Sequence, residues 1–242
     1  MSEEKKRYSK KERKELKKPD AFVGGGRQLL AKLMSQPKRL LQLGVGLVVL
    51  GLAVYGYNTY KHMQLEASWL AYFEATQKPE AEKWQALEAF YGQGAKNRAR
   101  FLAAVELADH HYEAASQPDA TADKAKASTQ AAAEWYGKAL EYSGLVAAEE
   151  QLLRINVGAA LEMQGLKQEA LVEYQAAAKM DARSKAWALI QVGRVFESQE
   201  KPAEARQAYQ QVVENHGTTE YGKMAKNYLR RLDSSLMKEI QL

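Results

Sequence analysis

The chain has 242 residues and no cysteine, which excludes disulfides, zinc–thiolate sites, thiol catalysis and lipid acylation of a cysteine together. Its formal net charge of +5 is unevenly placed: residues 1–39 hold 13 Lys/Arg against 5 Asp/Glu, a net of +8, while the remainder holds 22 against 25, a net of −3. The basic balance therefore belongs to the N-terminal segment and gives no reason to expect a basic, nucleic-acid-binding surface on the main body.

Residues 1–39 read as a basic tail. Ser9 and Glu12 make a capping-box pattern and Pro19 ends any helix there, but the charge density predicts a fraying segment. Such a tail suits contact with anionic lipid, worth about 1 kcal/mol per basic residue near the surface. Nucleic acid is not expected, because no aromatics interleave with the charges beyond Tyr8. Gly24-Gly25-Gly26 is a flexible joint and not a phosphate loop, since no GKS or GKT follows. Arg27–Gln36 places Leu29, Leu30, Leu33 and Met34 on one face, as in a short amphipathic helix lying on a membrane surface before Pro37.

Leu40–Tyr60 then runs 21 residues without a charge. A helix rises about 1.5 Å per residue, so about 20 apolar residues cross a hydrocarbon core of about 30 Å. Gln42 lies near the start, within reach of the interface, and Tyr55, Tyr57 and Tyr60 cluster at the far end, where aromatic rings favour the headgroup level. A buried core helix is seldom uncharged for so long. A cleaved signal peptide has a shorter apolar core behind a shorter leader, so an uncleaved anchor is the expectation. Lys and Arg near a span stay on the cytoplasmic side, which predicts a cytoplasmic N-terminus and residues 61–242 outside the cytoplasm, in the periplasm of a bacterium. Gly44, Gly46, Gly51, Ala53 and Gly56 allow another helix to approach or simply face lipid.

From His62 onward Ala, Glu, Gln, Lys and Leu dominate, which predicts helix throughout. Breaks are expected at Lys78-Pro79, Gly92–Gly94, Gln117-Pro118, Gly144, Gly165, Lys201-Pro202 and Gly217. An internal repeat is visible at an offset of 35: Gly158, Ala170, Tyr174 and Ala177 fall on Gly193, Ala205, Tyr209 and Val212. Each unit is a helix, a turn at Gly165 or Glu200, and a second helix. Ala104, Leu107 and Ala108, with Ala132, Tyr136 and Ala139, read as an earlier copy with a longer connection at Ser116–Thr129. Trp69–Tyr91 reads as one more pair. A final helix from Thr219 to about Met237 carries Tyr221, Met224, Ala225, Tyr228, Leu229 and Leu232 on one side and suits a terminal cap.

This pattern resembles the tetratricopeptide repeat, with best repeats at 151–184 and 186–219. Val157-Gly158, Leu161, Ala170, Tyr174 and Ala177 occupy the repeat's small and apolar positions, as do Val192-Gly193, Phe196, Ala205, Tyr209 and Val212. Arg154 and Leu189 stand where its tryptophan is usual, and Ala182 and Gly217 where its proline is usual. The expected fold class is therefore all-α: one transmembrane helix followed by a tetratricopeptide-like helical-repeat solenoid over residues 61–242. The order of parts, with Lys18-Pro19-Asp20-x-Phe22 in the tail, resembles a bacterial family whose best-known member is the ancillary subunit of the Sec translocon. That resemblance implies a single-pass inner-membrane protein with a periplasmic domain, in contact with translocon subunits, a periplasmic chaperone or an exported client.

No HExxH, GxSxG, Walker or GxGxxG pattern occurs. His110 and His111 point about 100° apart on a helix and do not readily share a metal, and Asp109 beside them reads as a surface residue. No catalysis, metal or cofactor is expected. Binding is the better use of such a surface, because the first helix of each stacked pair lines a concave groove. The repeat alignment places Leu152, Ile155, Asn156, Ala159 and Met163 there in one unit and Trp187, Ile190, Gln191 and Arg194 in the next. Leu152 and Ile155 make the expected groove apolar with a polar edge and argue against a clamp for a chain-end carboxylate. Trp187 reads equally as groove or as core. The expected role is a membrane-anchored interaction scaffold linking the translocon to chaperones or clients; the alternative is a coordinator of envelope assembly or cell division.

Overall fold

The computed structural model describes Ser35, residues 37–93 and residues 96–240, with side chains as far as Ser234. Of the basic tail only Ser35 and residues 37–39 are described; the remainder, including the rest of the short helix expected at Arg27–Gln36, lies outside the described residues. Nine α-helices and no strand are present among those described. α1 runs unbroken from Pro37 to Thr76 and ends before Lys78-Pro79, where proline restricts its predecessor and removes a donor. It is long and apolar enough to cross a membrane, and its most apolar window has no residue buried by protein.

The chain divides into two compact units, Met1–Gln64 and Leu65–Leu242. In the first, the apolar side chains of α1 are exposed, Leu43, Leu47, Val54 and Tyr57 among them. The second begins with the last turns of α1 and continues through α2 (Glu80–Gln93), α3 (Arg98–Ala115), α4 (Ala122–Leu140), α5 (Ala147–Met163), α6 (Lys167–Lys179), α7 (Lys185–Ser198), α8 (Pro202–His216) and α9 (Glu220–Ile240). From α2 on, each helix packs against the next, and α9 also reaches α7.

Local sequence explains the boundaries. Asn97 caps α3 by accepting from the Arg100 N–H at 3.1 Å, and its amide donates to Ser68 Oγ at 2.7 Å, tying the end of α1 to the start of α3. Pro202 opens α8, where its missing N–H costs nothing. The turn between α5 and α6 places Gly165 at φ +80°, and the equivalent turn 35 residues on places Glu200 at φ +58°, a left-handed conformation unusual for a residue with a Cβ. One expected loop is shorter than predicted. Thr121 accepts from the Lys124 N–H and starts α4, so Ala122–Thr129 is helical and the connection is confined to 116–121. The Ala-rich composition there favours helix over loop. Gly92, expected in a break, lies inside α2.

The packing repeats with the sequence. A Cβ added to Gly158 would sit 2.7 Å from the Tyr174 ring, and one added to Gly193 would sit 2.4 Å from the Tyr209 ring. Each tyrosine ring packs against the glycine of the preceding helix, and both rings are fully buried. Ala170, Ala177, Ala205 and Val212 are fully buried around them, as are Ala132 and Ala139 around Tyr136 in α4. Gln151 locks one junction: its amide donates to the Ala177 carbonyl at 3.0 Å and its oxygen accepts from the Ser184 N–H at 2.7 Å. Both groups at this completely buried side chain's tip are thus satisfied.

Adding a methyl group therefore has opposite signs at two helical glycines. Gly193→Ala is expected to lower stability by about 2 kcal/mol, because a fully packed ring must move. Gly137→Ala, in α4 with open space around the new Cβ, should raise it by about 0.5 kcal/mol. Denaturant unfolding of the full chain in detergent, followed by circular dichroism, checks both.

Candidate functional site

A groove of about 480 Å³ opens between α5 and α7, with its end wall formed by Tyr112 of α3 and Tyr136 of α4. α5 supplies Ile155, Asn156, Ala159, Glu162 and Met163; α7 supplies Trp187, Gln191 and Arg194; Tyr174 of α6 lies at the base. The spacings 155, 159, 162 and 187, 191, 194 are three- and four-residue steps, which keep these side chains on one face of each helix.

Of the nine residues that the repeat alignment places in the groove, Ile155, Asn156, Ala159, Met163, Trp187, Gln191 and Arg194 line this single concavity. Ile190 does not. It is fully buried in a cluster with Ala205, Tyr209, Ala225 and Leu232. Ile190 stands 35 residues after Ile155, and both side chains are buried; Ile155 belongs to another core cluster and still borders the groove, whereas Ile190 packs with Ala225 and Leu232 of α9. Leu152 is 51% exposed on the same face as Ile155, one turn earlier, and does not line the groove. Trp187 has both roles: it faces the groove, packs against two core clusters, and lies 5.9 Å from the Tyr221 ring.

Four lining residues, Tyr112, Tyr136, Glu162 and Tyr174, were not predicted as groove residues. Glu162 had a signal: it follows Gly158 by four residues, as Glu197 follows Gly193. The structure gives both carboxylates the same partner. The Tyr174 hydroxyl donates to Glu162 Oε2 at 3.0 Å, and the Tyr209 hydroxyl donates to Glu197 Oε1 at 2.7 Å. In α4 the Tyr136 hydroxyl donates to Asp109 in the same manner. Burial first, then the Glu162 charge, pushes the Tyr174 hydroxyl far above its usual range. Burial and the bond to Asp109 do the same to Tyr136. Both tyrosines therefore stay protonated and act as fixed donors.

A cation from a following helix joins Glu162 and Glu197. Arg194 of α7 approaches Glu162 Oε1 at 3.5 Å and also donates to Gln191 Oε1; Arg231 of α9 reaches Glu197 Oε2 at 2.6 Å. A tyrosine–carboxylate–arginine chain thus links one helix pair to the next. His110 stacks on Trp84 with ring centroids 3.8 Å apart, outside the groove. Among the described residues no group of three or more His, Asp or Glu side chains is placed to hold a metal.

The site is a cleft with largely apolar lining and one ion pair, on a protein whose described residues are helical and include one helix long and apolar enough to span a membrane. Comparison with known proteins finds no matching family model and no matching curated sequence.

The tyrosine hydroxyl is a separable part of this arrangement. Tyr174→Phe should cost about 1–2 kcal/mol, the worth of a hydrogen bond to a charged acceptor, while leaving the Gly158 contact in place. Tyr209→Phe should cost a similar amount, and chemical denaturation of the two variants measures both.

Proposed function

We propose that this protein is a membrane-anchored scaffold for protein–protein interaction, with a tetratricopeptide-like helical-repeat domain that receives a polypeptide in the α5–α7 groove. In this reading α1 crosses the inner membrane, the N-terminus is cytoplasmic, the repeat domain is periplasmic, and the groove links the Sec translocon to a chaperone or an exported client. The basic tail adds contact with anionic lipid.

The observation that carries the reading is the groove itself. Seven residues selected from two repeats by their alignment line one cleft, in which aliphatic and aromatic side chains stand beside the amides of Asn156 and Gln191. Such a surface suits an extended or helical segment more than a small polar metabolite. The recurrence of the glycine–tyrosine contact at an offset of 35 supports a repeat architecture. The apolar helix supports the tether, which raises the effective concentration of groove and membrane partner without new contacts.

Affinity purification of the full chain in mild detergent tests this directly. The natural protein should recover translocon subunits or a periplasmic chaperone. Ala159→Arg, which fills the groove from a half-buried position outside the core, should reduce that recovery at least about tenfold while leaving the melting temperature unchanged. Recovery of division or outer-membrane assembly proteins alone contradicts the assignment. Equal recovery by the filled variant contradicts the groove.

A further inference from the structure

We infer that Arg194 makes this groove selective for a polypeptide segment presenting one acidic side chain beside a bulky apolar one. The inference rests on the groove being a polypeptide site and names the chemistry of its ligand.

Among the lining residues Arg194 is the one cation and Glu162 the one carboxylate. They are not equally engaged. Glu162 accepts the Tyr174 hydroxyl on one oxygen and faces Arg194 with the other, and its side chain is 25% exposed. Arg194 is 42% exposed. Its contact with Glu162 is 3.5 Å long, at the outer limit of a useful hydrogen bond, and its other partner is the neutral amide of Gln191. A guanidinium carries five N–H donors, so most of its capacity is left for a ligand.

Other arginines in the same fold are held more closely by carboxylates. Arg231, in the equivalent chain one repeat on, meets Glu197 at 2.6 Å and lies over the Tyr228 ring. Arg154 is held by Glu150 at 2.9 Å and by Glu173 at 3.1 Å. Arg194 is the loosely held member of this set, and it is the one that lines the groove.

The rest of the cleft sets the neighbouring requirement. Ile155, Ala159, Met163 and Trp187 form an apolar wall next to Arg194, which suits a large aliphatic or aromatic side chain. A carboxylate adjoining that side chain gains a charge-assisted, two-pronged contact with the guanidinium. A basic ligand residue finds a single carboxylate, one oxygen of which already accepts from Tyr174, and meets the charge of Arg194 beside it. A second ligand carboxylate finds no second cation and meets the charge of Glu162. One acidic residue is therefore favoured over none, over two, and over a lysine.

The test uses the full chain in detergent and short fluorescein-labelled peptides with amidated C-termini, identical except for Glu, Gln or Lys after a central Phe. Fluorescence anisotropy should show the Glu peptide binding about tenfold tighter than the Gln peptide, with the Lys peptide weakest. Arg194→Gln should remove the Glu-over-Gln preference and hold the Gln peptide's affinity within about twofold. Ala159→Arg should abolish binding of all three. Equal binding of Glu and Gln peptides to the natural protein, lost on Ala159→Arg, overturns the Arg194 assignment and leaves the groove intact. A preference that survives Arg194→Gln overturns it as well, and binding of none of the peptides overturns both readings. Tighter binding of a neutral peptide with a free C-terminal carboxylate than of the amidated Glu peptide overturns the assignment to an internal side chain.

Discussion

The contact between a glycine on one helix and a tyrosine ring on the next is the constraint from which the other features follow. At Gly158 and Gly193 the ring occupies the space a Cβ would need, so the two helices approach more closely than any residue with a side chain allows. That approach fixes where the hydroxyl of each tyrosine falls, which is one turn further along the glycine's helix, at Glu162 or Glu197. The carboxylate then reaches an arginine on the following helix. A backbone distance set by a missing methyl group is thus converted into a polar chain that aligns successive helix pairs. Tyr174 closes the sequence of causes, because the same side chain that fills the glycine gap is part of the groove.

The two copies of this arrangement end differently. Arg231 is drawn tight against Glu197 where α9 packs over α7, and the matching position Ile190 is sealed in the core. Arg194 makes the longer contact with its carboxylate and lines the groove. In the proposed function this asymmetry decides where a partner binds: the closed copy contributes rigidity and the open one contributes a ligand site. α1 contributes location, and the groove needs only modest affinity when its partner is held at the same membrane.

Much of this was legible in the residues because it depends on spacing. The uncharged run at Leu40–Tyr60, the glycine–tyrosine register and seven groove positions all follow from periodicities of a helix and of a 35-residue offset. What was not legible depends on which elements cover which. Ile190 has the same place in its repeat as Ile155 and both are buried, but Ile190 packs with Ala225 and Leu232 of α9 while Ile155 borders the groove. Ala122–Thr129 looked like a connection because it follows a Gln-Pro-Asp turn, yet Thr121 is a sufficient cap to begin a helix there. Gln151, an unremarkable polar residue in sequence, is completely buried because two helix ends converge on its amide.

Site-specific photo-crosslinking in living cells tests most directly that the α5–α7 face is where a partner sits. A crosslinker is placed at Met163, in the groove, and in a second strain at Gln207, which lines a depression formed by α6, α7 and α8 on the other face of α7. The account predicts a discrete protein adduct from Met163 and none from Gln207. An adduct from Gln207 with none from Met163 would contradict it.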